Sequence, residues 1–326
     1  MNTRGSAQAR FDADLEALVR RVGDRPAMPS AMPLAVPSAL PSSVPSSVRS
    51  AAPGQGPECG LILVGAEIAD CISPHARVGS KGADRRSVRV DVDGPAANLL
   101  LVIGDGSAVL VPAMRGYAAT LVFDEGELTD VSFEPVEGTA RRQAFSRQEN
   151  HLRALRRLIA DAARGGFFHP DAAVASELAR QVTRSRNGEG AMGLLDPSLA
   201  LYAAYALQDG RMTGEIQELM RFLSSELSAS FFDVDLLAGG LRGAMQPAPD
   251  PAREPDPSPS PSPSPSPSLR PPFPMLARGW ALLSAHGVVL PAPLEGIEQE
   301  LLPSLWTHFN PAGGSRLRDL MLARRL

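Results

Sequence analysis

Val88, Val90 and Val92 alternate with Arg89, Asp91 and Asp93, and that period of two predicts a half-buried strand. The apolar run Leu99 to Ile103 meets the turn residues Gly104-Asp105-Gly106 and resumes at Ala108 to Val111, which predicts a hairpin. Tyr117 to Phe123 follows, then the turn Asp124-Glu125-Gly126. Leu128 to Phe133 closes the series, with Val131 and Phe133 opposite Asp130, Ser132 and Glu134. Leu61 to Ile72 has room for one or two further strands. Consecutive strands with short turns predict an antiparallel meander.

The period then changes to that of a helix. Ser146 with Glu149 reads as a capping box ahead of Leu152, Leu155, Leu158 and Ile159, and Gly165-Gly166 ends that helix. A second helix is expected over about 170–184, with Val174, Leu178 and Val182 inward. A third opens at Asp196-Pro197, an N-cap followed by proline at the first helical position, and ends near Gly210. A fourth covers 213–227 and a short one follows Asp233. The third and fourth read as a helical hairpin, with Ala203 and Ala206 allowing close approach and Tyr205 filling the gap. Near the C-terminus, helices are expected over about 274–285, 294–309 and 316–326. Phe11, Leu15, Leu18, Val19 and Val22 recur at helical spacing before the first strand. The fold class is therefore α+β, a small antiparallel β-meander followed by an α-helical bundle.

Composition adds two breaks. Proline and serine dominate about 25–56, and a repeating Ser-Pro tract from Pro257 to Pro267 closes the stretch 246–272. Proline fixes φ and removes amide donors, so both are expected as disordered or extended linkers. The expected organisation is an N-terminal helix (1–24), a linker (25–56), an antiparallel β domain (57–136) and a helical domain (137–245). A Ser-Pro linker (246–272) then leads to a C-terminal helical segment (273–326) docking on the helical domain.

Charge narrows the function classes. The net charge of -4 gives no basic field, which argues against nucleic acid as partner. The pairs Arg20-Arg21, Arg85-Arg86, Arg141-Arg142, Arg156-Arg157 and Arg324-Arg325 are spread out and read as solvated sides of helices and turns. No apolar run approaches the roughly 20 residues of a membrane span, and Met1 to Arg10 has no apolar signal core, so no membrane association and a cytoplasmic location are expected.

Cys59, Cys71 and His75 are the one cluster with nucleophile or soft-ligand character. Zinc would need a fourth ligand, which no nearby residue supplies, and neither cysteine sits in a cysteine-protease signature. They read as two small buried thiols and a surface histidine. The alternative is a cysteine-dependent hydrolase using Cys59 or Cys71 with His75. Asp91, Asp93 and Gly94 begin like a calcium loop but lack the later ligands, and Gly104-Asp105-Gly106 lies between strands, unlike a phosphate loop. No catalytic residues, metal or cofactor are expected. Trp280 and Trp306, with Phe273 and Phe309, concentrate aromatic area in about fifty residues, near the lower limit for an independent core. Docking back on the chain is the expected outcome, and Trp280, Trp306 and Phe309 are the candidate partner-binding residues if that surface is instead exposed.

Several blocks carry a resemblance when taken in order: Pro112 to Phe123, Val131 to Pro135, Asp196 to Tyr205, Phe232-Asp-Val234, Pro274 to Trp280 and Leu302 to Thr307. Together they resemble an accessory module of bacterial proteins that commonly follows a caspase-like (metacaspase-type) peptidase domain. The resemblance spans about 61–326, broken by the Ser-Pro tract. It implies a regulatory role beside a protease, with no catalysis by the module. No peptidase domain is present here, so that protease would be a separate polypeptide. The expectation is a non-enzymatic interaction or regulatory protein acting on a protease-type effector; a structural homo-oligomer is the other alternative.

Overall fold

A computed structural model describes residues 59–137, 139–164, 196–241 and 273–323. The expected N-terminal helix, both linkers and the helix over 170–184 lie outside these residues. The chain is α+β. The described residues begin with eight strands: β1 (Cys59–Val64), β2 (Ile68–Ile72), β3 (Ala76–Lys81), β4 (Ser87–Val92), β5 (Ala96–Ile103), β6 (Ala108–Met114), β7 (Tyr117–Asp124) and β8 (Glu127–Pro135). The two foreseen hairpins are present as β5–β6 and β7–β8, and β3 had no clear sequence signal.

The strands divide between two sheets, β3-β4-β1-β7-β8 and β2-β5-β6. All pairings are antiparallel except that of β1 with β7, where Leu61 lies beside Ala119. The short link Arg115-Gly116 carries the chain from one sheet to the other, with Gly116 at φ +86°. A left-handed φ of that size is cheap for glycine and strained for other residues. Leu61 and Leu63 on β1, Val88 and Val90 on β4, and Leu121 on β7 share a core cluster with Leu99 and Leu101 of β5. The inner faces of the two sheets thus make one core. Leu100 and Leu110 point the other way, into a second cluster with Phe273, Leu294, Ile297, Phe309, Leu317 and Met321. Burial on both faces explains why β5 reads as a continuous apolar run.

Among the described residues, four helices follow: α1 (Ala140–Arg164), then α2 (Pro197–Asp209), α3 (Thr213–Leu227) and the short α4 (Phe232–Leu237). α1 begins six residues ahead of the expected Ser146, because Thr139 accepts the Arg142 backbone N–H at 3.1 Å and so caps an earlier turn. Glu149, expected in a capping box, pairs with Arg153 one turn on, at 2.6 Å. At α2 the cap is as foreseen: Asp196 accepts the Ser198 N–H at 3.0 Å with Pro197 at the first position. α2 is buried all round from Pro197 to Leu207 and forms the centre of the helical layer.

The C-terminal segment adds α5 (Ala277–Ala285) and α6 (Pro311–Leu322). The helix expected over 294–309 is absent. Two short 3-10 turns, Ala292–Leu294 and Ile297–Glu300, stand there, followed by an irregular, bent stretch; the bridges here are Leu301 to Phe309, Leu276 to Trp306 and Phe309 to Ala108 of β6. Pro303 removes a donor and biases the residue before it away from the helical region. The bridge to β6 continues the small sheet onto the segment, with Ala108 and Phe309 exchanging both backbone bonds at 2.9 Å. Each fully buried large apolar side chain contributes about 1.5–3 kcal/mol. With six such residues of its own packed on Leu100, Ala108 and Leu110 of the small sheet, the segment is a structural layer and not an appended tail.

Candidate functional site

The two thiols sit on different sheets. Cys59 faces the core from β1, 2% exposed, and its Sγ donates to the Met114 carbonyl at 2.9 Å. Burial pushes this thiol up to about 12, against the weaker opposing pull of the Gly116 backbone. Cys71, on β2, is also buried and free, and burial together with the neighbouring Asp70 charge pushes it up to about 12 as well. His75 is exposed on the connection from β2 to β3, where its backbone N–H bonds Ser73 Oγ at 3.2 Å. A thiolate nucleophile needs a depressed pKa and access to substrate, and these two cysteines have neither. The expected consequence is slow labelling of the native chain by a maleimide at pH 7.5, with both cysteines reacting at least a hundredfold faster in urea. Rapid native labelling at either one would restore the hydrolase alternative.

Beside His75 lies a cleft of about 360 Å³, lined by Ile72, Pro74, Arg77, Asp93, Met321 and Leu322 among others. It is open and of mixed polarity, and Cys71 does not line it. Among the described residues, no three His, Cys, Asp or Glu side chains converge as a metal site. Nor is any described helix long and apolar enough to cross a membrane.

The best-organised polar constellation is one that single residues did not announce. Asp233, on α4, is fully buried and accepts three hydrogen bonds: from Tyr205 Oη at 2.7 Å, from the Met275 N–H at 2.7 Å and from the Leu276 N–H at 3.1 Å. Burial holds its carboxyl above the ordinary range, although each of those donors pulls the other way. The carboxylate thus grips the main chain of the C-terminal segment just where it enters the fold. Arg278 makes a two-pronged pair with Asp209 at the end of α2, one contact at 2.9 Å. α5 comes so close here that a Cβ on Gly279 would stand 2.5 Å from Tyr205 Oη. An acid inside Phe231-Phe232-Asp233-Val234 is a sequence sign of a buried carboxylate, but its partners lie 28 to 43 residues away.

The aromatic residues singled out in the sequence are brought together by this docking. Trp306 is 1% exposed and packs edge-on against Tyr202 of α2, with ring centroids 5.8 Å apart. Phe309 is buried between Phe273 and Trp280, at 5.3 and 6.0 Å. Trp280 is half-buried, and its indole N–H donates to Thr307 Oγ1 at 2.9 Å. The segment also reaches the large sheet, where Ser304 Oγ donates to the Leu128 carbonyl at 2.8 Å. Its contacts thus include both sheets as well as the helical layer.

Two of the arginine pairs depart from their expected solvation. Arg142 is buried and bonds Glu134 of β8 at 2.9 Å, and Arg156 is buried with Nη1 3.3 Å from Asp196. Burial disfavours the Arg156 charge, but Asp196, Asp130 and Glu134 outweigh it and hold the guanidinium protonated. Arg157, Arg85 and Arg86 are exposed as expected. The class that fold and site define is an α+β protein, a two-sheet β unit joined to a helical layer, with a C-terminal segment latched across them. Comparison of the chain with protein-family models, with curated proteins and with solved structures gave no match.

Proposed function

We propose that the chain is a non-enzymatic interaction protein that regulates a protease-type effector on a separate polypeptide. The observation that supports the non-enzymatic reading is the state of Cys59 and Cys71, both enclosed in the core and held as thiols by burial. The choice of partner comes from the resemblance of the blocks from Pro112 to Thr307 to the accessory module beside caspase-like peptidases. Trp306 and Phe309 are engaged inside the chain, so truncating either disturbs packing before it reports on a partner. Among the described residues, the large apolar side chains with the greatest exposure are Val289 and Leu322, at 75% and 63%, and these are the surface probes.

The test combines the full chain with a purified caspase-like peptidase from the same cell. Sedimentation follows complex formation, and hydrolysis of a peptide substrate follows activity. A stoichiometric complex with a severalfold change in peptidase activity is the expected result, weakened by Val289→Ser or Leu322→Ser. No complex at micromolar concentrations and unchanged hydrolysis would reject this partner class.

A further inference from the structure

His308 lies between Thr307, whose N–H bonds the Met275 carbonyl at 2.7 Å, and Phe309, whose backbone is bridged to β6. Its side chain is 1% exposed, and neither ring nitrogen has a hydrogen-bond partner. The ring stands edge-on to Phe123 of β7, with centroids 5.7 Å apart. Asp105, on the turn before β6, is the charged group acting on it, and that carboxylate already accepts the Ser107 N–H at 2.8 Å and the Ser107 hydroxyl at 2.6 Å. Of the charged groups on the neighbouring ends, Glu67 and Asp124 are exposed, while Glu300 bonds Asn310 Nδ2 at 2.7 Å. A neutral imidazole fits this apolar place, and an imidazolium would be enclosed with its two N–H donors unpaired.

We propose that His308 makes the seam between the C-terminal segment and β6 acid-sensitive, proton uptake by its ring favouring an opened state in which the Ala108–Phe309 bridge is broken. This goes beyond the regulatory reading and does not rest on it. Burial holds the ring's pKa below its ordinary 6.5, only partly offset by Asp105. The opened state, with the ring in water, therefore binds the proton more tightly. The seam is at full strength above pH 6.5 and weakens as pH falls towards the lowered value, by up to tenfold in the opening equilibrium per pH unit. Asp233 has the opposite sign: its raised pKa favours the docked state as pH falls, so it cannot cause the loss.

Hydrogen exchange on the full chain tests this, reading the amides of Ala108 and Phe309 after correction for the intrinsic rate at each pH. Below pH 6.5 their opening is expected to rise up to tenfold per unit in the wild type and to stay flat in His308→Leu. An equal rise in His308→Leu would overturn the proposal. Should that variant not fold, the assigned His308 ring-proton NMR shift of the wild-type chain decides. A midpoint below 6.5 supports the device, and one at or above 6.5 sinks it.

Discussion

Asp233→Ala is expected to lower the stability of the chain by roughly 3 kcal/mol, measured as a urea midpoint shift at unchanged slope. The carboxylate receives the Tyr205 hydroxyl and the N–H groups of Met275 and Leu276, all of them buried. Truncation leaves those donors without an acceptor, and each buried orphan costs about 1–3 kcal/mol. Removing a buried charge returns part of that cost, so the estimate sits below the sum. Asp233→Asn keeps one acceptor oxygen and is expected to cost about half as much. Tyr205→Phe removes one donor and leaves the two main-chain bonds, for about 1 kcal/mol. Both tryptophans belong to the docked segment, so fluorescence reads its release directly. Asp233→Ala at wild-type stability would mean that the latch contributes nothing net. The pH dependence has a definite sign. A raised pKa stabilises the fold fully below the ordinary 3.8, and that contribution is lost as pH rises through the raised value. Asp233→Asn should flatten this part of the profile.

Arg156→Ala carries the other large effect, about 3–5 kcal/mol, because it strands Asp196 as an uncompensated buried charge. The same carboxylate caps α2 through Ser198, so its environment sets both the helix start and the contact with α1. Arg156→Met with Asp196→Asn removes both charges, keeps an oxygen for the cap and retains apolar volume. That double variant is expected to lose less than about 2 kcal/mol, since a buried ion pair replaced as a whole is often near neutral. The coupling from the cycle then separates the pair from the packing of the arginine stem. Additive losses would show that the two charges do not interact.

The elements that sequence pattern located well are those whose signal is local. α3 begins and ends where its apolar spacing and flanking residues placed it, and the Asp196-Pro197 cap of α2 is visible in two adjacent residues. The β5–β6 and β7–β8 hairpins follow from turn residues between apolar runs. Where pattern misled, a distant contact had changed the meaning of a residue. Arg142 and Arg156 look like solvated charges until Glu134 and Asp196 are brought beside them. Ser132 and Glu134 alternate with apolar neighbours as a solvent face would, yet both are buried. Leu302 to Phe309 has helical spacing, but its backbone bonds go to β6 and to Met275.

Composition and periodicity by themselves determined the α+β class, the order of most of the described elements and the inward face of α3, with Ile216, Leu219 and Leu223 buried. These depend on residues within a few positions of one another, where sterics and solvent preference act directly. The tertiary structure alone decided that the strands form two sheets with a parallel β1–β7 pair and that Asp233 grips the main chain 42 residues on. It also decided that His308 is enclosed without a partner. Such features depend on which distant groups meet after the apolar surfaces have packed. No local preference encodes a hydrogen bond between residues brought together only by burial.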